Sequence, residues 1–341
     1  GACVDMPTET EESNYRNKVQ IAAYPVVEKG GVLWTYMGPP ELKPEMPNFE
    51  YFRVPETHRH VSWNHQETNY AQAIEGGIDS AHSNFLHASL DAYLKTDAWR
   101  EQGKRSGNLR DIYHARDAHP KFFAEDTEYG VMVGARRETG EDLFYWRFNL
   151  FLMPFYAMPP SAPKQKFFHA WVPLDDYNCQ RWTFVWSLDN PIPRTQIEDW
   201  ENGSGLHAAL IPGHLNLPGL SAPAIHVPLR NKGNDYLVNR DYQKRLTFTG
   251  ITGTGEQDFS VQEGMGPITP RFKEHLGTTD IGIIKMRRRL LKECTALQDG
   301  EEPYTASHGE AYNVRATDVL LPLNADFMDN EKVTELMTPA W

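Results

Sequence analysis

The chain has 341 residues, 40% of them apolar and 12% aromatic, enough to enclose a substantial core in one large domain or two modest ones. Its 46 acidic and 34 basic residues leave a formal charge of −12 with no long basic block, which excludes the electrostatic footprint of a nucleic-acid binder. No apolar run nears the roughly 20 residues that span a bilayer, and the first residues lack a charged-then-apolar leader pattern, so the expected location is the cytoplasm, away from membranes.

In chain order, the sequence runs apolar from Val19, turns at Glu28-Lys29-Gly30-Gly31 and runs apolar again to Tyr36, which predicts a β-hairpin. Gly38-Pro39-Pro40, Pro44 and Pro47 then exclude a long helix or a central strand, and place a domain boundary at 38–50. From Asn69 to Ala81, Tyr70, Ala73, Ile74, Ile78 and Ala81 recur at helical spacing, although Gly76-Gly77 weakens that helix by roughly 1 kcal/mol per glycine. Strand-like runs follow at 131–137, 143–155, 167–174, 181–188 and 245–249, rich in Phe, Trp, Tyr and Val. Few helices separate them, which favours an antiparallel sheet. Thr279 or Asp280 is placed to cap a last helix that stops at Gly300 and carries Ile284, Leu290, Leu291, Cys294 and Leu297 on one side. Within it, Arg287-Arg288-Arg289 reads as a solvated or ion-paired face. The expected fold class is α+β, an antiparallel sheet gripping a long C-terminal helix.

The chemistry concentrates in Glu75-Gly76-Gly77-Ile78-Asp79-Ser80-Ala81-His82-Ser83-Asn84-Phe85-Leu86-His87. Asp79 and His82, three apart, share a helix face, so the carboxylate can orient the imidazole. His82 and His87, five apart, lie roughly 140° out of line on an ideal helix. They reach one metal only if the helix breaks between them, and Ser83-Asn84 is the place for that break. Two imidazoles and a distant carboxylate would make a 2-His-1-carboxylate triad, which leaves one face of an octahedral Fe(II) open. Spacing alone does not separate such ligands from two polar residues at a helix end. His58, His60, His207, His214 and His275 have no carboxylate at metal-like spacing and read as structural or surface residues. Cys3, Cys179 and Cys294 form neither a disulfide pattern nor a cluster-binding one.

Residues 69–87 resemble the Asp-x-x-His-x-x-x-x-His iron motif of the Rieske non-heme iron aromatic ring-hydroxylating oxygenase large subunits. Tyr24 to Glu28 with Gly31 to Pro39 resembles the hairpin that closes the Rieske domain, and Trp171 to Asp176 a strand of the catalytic domain. Gly250 to Gly253, Gln257-Asp258, and Gly266-Pro267-Ile268 through Asp280 are similar to the phthalate 4,5-dioxygenase-like branch. The resemblance implies a helix-grip, START-like catalytic domain at 43–341 after a Rieske remnant at 1–42. It implies His82, His87 and Asp258 as iron ligands, with Glu256 and Glu263 as competitors for the carboxylate place, and Asp79 as the acid linking an iron-bound His to a cluster-bound His of a neighbouring subunit. Glu75, one turn earlier on the same face, is placed either to support Asp79 or to face solvent. The family's Cys-x-His and Cys-x-x-His cluster ligands are absent here, so the [2Fe-2S] cluster is expected in the full-length protein only. As given, the chain is expected to bind iron without receiving electrons normally. A homotrimer, an NAD(P)H-dependent reductase or ferredoxin, O2 and an aromatic substrate complete the expected system.

Strand alternation at 143–153 puts Tyr145, Arg147, Asn149, Phe151 and Met153 on one face. Arg147, Asn149 and Phe151 are the candidate substrate contacts, an arrangement suited to an aromatic carboxylate. Arg147 paired with a surface acid is the plainer alternative. Hydroxylation, cis-dihydroxylation and O-demethylation all suit the same iron. Two other functions fit these residues: a zinc hydrolase using the same triad, and a helix-grip module that carries an apolar ligand with no metal.

Overall fold

The computed structural model describes residues 1–94, 108–114, 116–161, 164–216 and 224–341. The expected hairpin is present but shorter, with β1 (Val26–Lys29) antiparallel to β2 (Val32–Thr35) and Lys29 opposite Val32. Gly30 and Gly31 have φ of 68° and 77°, the left-handed pair that a two-residue turn needs to match the twist of its strands.

The main sheet comprises β3 (Arg59–Gln66), β4 (Lys121–Asp126), β5 (Gly130–Glu141), β6 (Leu143–Leu152), β7 (Tyr156–Met158), β8 (Gln165–Pro173) and β9 (Cys179–Ser187), while β10 (His214–Leu215) and β11 (Ala224–Ile225) pair separately. Its order is β3-β9-β8-β7-β6-β5-β4, antiparallel throughout; β12 (Thr317–Pro322) and β7 share one edge of β6 end to end, and β5 takes the other.

Alternation along β6 divides the molecule as the sequence predicts. Trp146, Phe148, Leu150 and Leu152 join Phe168, Phe184 and Trp186 in one core, closed by Phe49, Tyr51, Tyr312 and Val319. On the opposite face Phe151, Met153, Val131, Val133, Ala157 and Trp171 pack against α1 (Tyr70–Ile78) and the C-terminal helix. The architecture is α+β, with helices laid on one face of a large antiparallel sheet. Phe49 to Phe52 are buried, so the proline-rich stretch at 38–50 ends inside the core.

Three expectations are corrected. Residues 245–249 are not a strand: a short helix, Arg240–Arg245, is capped by the Asn239 side chain, and the chain then turns with a single bridge at Thr247. The Asn239 cap supplies an early partner for an otherwise orphaned backbone N–H and overrides the β propensity of Leu246 to Thr249. In the last helix, Ile281–Gln298, the packed stripe is Gly282, Ile283, Met286 and Leu290, whereas Leu291, Cys294 and Leu297 are exposed. Its contacts with the sheet are to β4 and β5, and apolar spacing alone does not reveal where that cover ends. Asp280 caps the preceding turn, accepting from Gly277 N at 2.7 Å, rather than the helix itself.

Candidate metal centre and its cavity

Asn69 caps α1 by accepting from Ala71 N. At Asp79 the backbone leaves the helix (φ −78°, ψ 122°), and a 3-10 turn, His82–Asn84, follows. The helix thus ends at Asp79, before both histidines rather than at Ser83-Asn84, and the 3-10 turn that follows lets both imidazoles face one point: His82 Nε2 and His87 Nε2 are 3.1 Å apart. Asp258, on α2 (Thr254–Gly264), brings its Oδ1 to 3.1 Å from His87 Nε2 and 3.7 Å from His82 Nε2. Among the described residues these three are the group able to hold a metal ion.

The donor set fits a divalent metal. Ligands about 2.1 Å from an ion and at right angles to one another lie about 3.0 Å apart, close to the edges of this triangle. The tautomers agree. His82 Nδ1 is 3.1 Å from Asp79 Oδ2, and His87 Nδ1 is 2.7 Å from Gln257 Oε1. Gln257 Nε2 donates to Ile251 O at 3.0 Å, which fixes its oxygen toward His87. Both Nδ1 atoms therefore carry the proton and both Nε2 lone pairs face the centre.

Asp79 also accepts from Ala81 N at 2.7 Å and His82 N at 3.0 Å. Burial alone would raise its carboxyl, but His82 and these two N–H groups hold it below the ordinary carboxylate range. Burial likewise opposes ionisation of Asp258, and is outweighed by His87, His82 and Arg181, so it too stays ionised below the usual range. The His82 imidazole is pushed down by burial and raised on balance by Asp79 and Asp258. Either an ion or a proton therefore meets a receptive, electron-rich triad.

Neutral side chains tie the two ligand-bearing segments together. Gln262 of α2 accepts from Gln66 Nε2 at 2.5 Å and donates to Ala73 O of α1 at 3.0 Å, while Gln72 donates to Gln262 O at 2.9 Å. Gly76 and Gly77 permit this closeness. A Cβ at Gly76 would lie 2.6 Å from Gln262 Nε2, and one at Gly77 would lie 2.7 Å from the Ala157 Cβ. The weak helical pair in the sequence is the price of that approach.

The competing carboxylates lie elsewhere. Glu256 is fully buried near Arg230, 3.8 Å away. Glu263 bonds the Tyr236 hydroxyl and Glu67 N, and burial raises it to about 7. Glu75 pairs with Arg287 at 2.8 Å and Arg271 at 3.2 Å, so it braces α1 against the last helix rather than supporting Asp79. Arg287 and Arg289 are ion-paired, as the sequence implies.

The triad lines a cavity of about 530 Å³ whose wall includes Arg110, Arg147, Asn149, Phe167, His169, Trp171, Arg181 and His207. Two of the three candidate substrate contacts, Arg147 and Asn149, are on it. Phe151 instead lies fully buried in the core with α1, because the helix covers that end of the strand. Arg147 donates to Pro160 O at 3.2 Å and Tyr145 Oη at 3.4 Å, and among the described residues its Nε has no partner. Asp318, opposite it on β12, accepts from Tyr145 Oη at 2.7 Å. Gln257 and Arg110 escape sequence reasoning: Gln257 is visible only as the neighbour of Asp258, and Arg110 carries no local signal.

The family described as LigXa C-terminal domain like matches residues 35–337. The 3-chlorobenzoate-3,4-dioxygenase oxygenase subunit of Comamonas testosteroni is 31% identical, the match covering 96% of this chain and 74% of the relative. The phthalate 4,5-dioxygenase oxygenase subunit of Pseudomonas putida is also 31% identical, over 88% of this chain and 65% of the relative. For the 5,5'-dehydrodivanillate O-demethylase oxygenase subunit of Sphingobium sp. (strain NBRC 103272 / SYK-6) the identity is 25%, over 92% and 62%. The chain thus spans less than two thirds of the second and third relatives. On the family match and these identities, the chain belongs to the LigXa C-terminal domain-like family of Rieske-type oxygenase subunits.

Proposed function

We propose that residues 43–341 form the iron-binding catalytic domain of an oxygenase component acting on an aromatic carboxylate, and that residues 1–42 end a cluster-binding Rieske domain. The convergence of His82, His87 and Asp258 on one point of a large cavity carries this reading. A ferrous ion held by two imidazoles and one carboxylate has a net charge of about +1 and keeps an open face for activating dioxygen beside a substrate. Asp79 and Gln257 hold the two rings in the ligating tautomer. Asp79, about one-fifth exposed, keeps an edge free for a partner, in line with a role in passing electrons from a neighbouring subunit's [2Fe-2S] cluster in a homotrimer fed by a ferredoxin or reductase.

The lining of the cavity supports this substrate class. Among the described residues Arg147 is buried with only neutral acceptors for its hydrogen bonds, and Arg110 lines the same cavity. A carboxylate would supply the missing anion, while Phe167 and Trp171 offer apolar surface to a ring. The names of two relatives, a chlorobenzoate and a phthalate dioxygenase, are those of enzymes for aromatic carboxylates.

Two measurements test this. Anaerobic reconstitution should give one iron per chain and none in His82→Ala; zinc retention with oxygen-independent hydrolysis would favour a hydrolase instead. Calorimetric titration should show a benzoate-type acid binding and its primary amide failing to bind, with Arg147→Met weakening the acid about ten- to a hundredfold, the worth of a charged hydrogen bond of about 1.5–3 kcal/mol. Equal binding of acid and amide would remove the carboxylate from the proposal.

A further inference from the structure

Arg137, on β5, is 0% exposed. Burial and the charge of Arg147 push its guanidinium down to about 9. A buried cation is ordinarily matched by an acid, yet among the described residues every hydrogen bond of Arg137 ends on a neutral oxygen of the metal-binding turn. One terminal nitrogen donates to Ser80 O at 2.8 Å and Asn84 Oδ1 at 2.9 Å, and both reach Ser80 Oγ at 3.3 Å. Ser80 and Asn84 stand two residues before and after His82. From the other side, His114 takes the same turn: its Nε2 is 2.9 Å from Ser83 Oγ, and its carbonyl accepts from Asn84 Nδ2 at 2.8 Å. His87, by contrast, is held from α2 by Gln257.

We infer that Arg137 is a positioning residue for the metal centre, its planar guanidinium bridging Ser80 and Asn84 so that the His82 corner is set independently of the His87 corner. The inference rests on reading the triad as a metal site. A lysine would keep the charge, but its shorter side chain stops before the position of the terminal nitrogen that makes both short bonds.

Cobalt(II) titration of the purified chain separates the possibilities. The wild type should bind one Co(II) and show two exchangeable, hyperfine-shifted imidazole N–H resonances, one from each Nδ1. Arg137→Gln should bind Co(II) about ten- to a hundredfold more weakly, the usual consequence of losing support behind a metal ligand, and should lose or shift the His82 resonance while that of His87 stays. Arg137→Lys should resemble Arg137→Gln rather than the wild type. Should Arg137→Gln fail to fold, Asn84→Ala removes one acceptor with the cation in place, and about a tenfold weakening with the same selective change is expected. Wild-type affinity with both resonances intact in these variants, or both resonances moving together as in a general loosening, overturns the inference. Failure of the wild type itself to bind Co(II) would overturn the metal reading on which it rests.

Discussion

The two faces of the main sheet are built from the same strands and spend their buried volume differently. On one face Phe49, Phe168 and Phe184 stack with centroids 4.4 and 4.5 Å apart, and a buried acid there, Glu50, is bonded by Arg315, Trp186 Nε1 and Ala340 N. On the other face the strands bury Arg137, Arg147, Asn149, His169 and Arg181, and among the described residues Arg137, Arg147, Asn149 and Arg181 each have a polar atom without a hydrogen-bond partner, against Trp146 Nε1 alone in the packed core. Apolar burial stabilises without regard to direction, whereas unsatisfied polar atoms cost stability and are kept where a ligand can meet them. One face therefore carries the stability that lets the other hold an unfinished polar cavity.

The comparison predicts that variants on the two faces fail in different assays. Removing either imidazole should have the largest effect: His82→Ala or His87→Ala should abolish metal retention in a dialysed sample, because two remaining donors do not hold the ion against buffer, while the thermal midpoint of the metal-free protein stays near that of the wild type. Retention of one metal per chain in either variant would move the centre elsewhere. Next, Phe168→Ala should cost about 3–5 kcal/mol of unfolding free energy through the lost burial and the cavity it leaves, with Co(II) affinity unchanged in the folded fraction. Urea titrations with and without metal would show this, and a coupled loss of affinity would mean that the faces are not independent.

Glu50 sharpens the same contrast through pH. Burial opposes its ionisation, but Arg315, Trp186 and Ala340 N outweigh it and hold its carboxyl below the ordinary value. A depressed acid contributes stability that is fully present above the unfolded-state value and is lost as pH falls through the folded one. Wild-type stability should therefore decline on acidification, and Glu50→Gln should flatten that limb while costing about 3–5 kcal/mol near neutrality by stranding Arg315. Urea midpoints across the acid range would check it. A parallel decline in both proteins would assign the acid sensitivity to other carboxylates.

Local periodicity carried much of this into the sequence. The face of each β6 residue and the hairpin turn follow from alternation and paired glycines, whereas the helix ends at Asp79, ahead of the Ser83-Asn84 break that short polar side chains suggest. What was hidden depended on partners far along the chain. β12 shows no strong strand pattern of its own and exists because β6 offers it an edge. Phe151 has the alternation of a cavity residue and lies under α1 instead, and the exposed half of the last helix has the same apolar spacing as the covered half. Arg137 looked like any strand arginine, since its partners at Ser80 and Asn84 are more than fifty positions away.

The smallest effect should come from Gln257. Its amide nitrogen is anchored on Ile251 O, so its oxygen has one orientation, toward His87 Nδ1. Gln257→Leu keeps the bulk and removes the acceptor. The His87 ring is then free to place its proton on either nitrogen, and the form with Nε2 protonated cannot ligate. Co(II) affinity should fall by about tenfold, the lower end for an outer partner of a ligating imidazole, with little change in unfolding free energy beyond the loss of one neutral hydrogen bond. An unchanged dissociation constant would show that the metal alone selects the tautomer, and that the precision of this face resides in the backbone of the turn rather than in the side chain behind it.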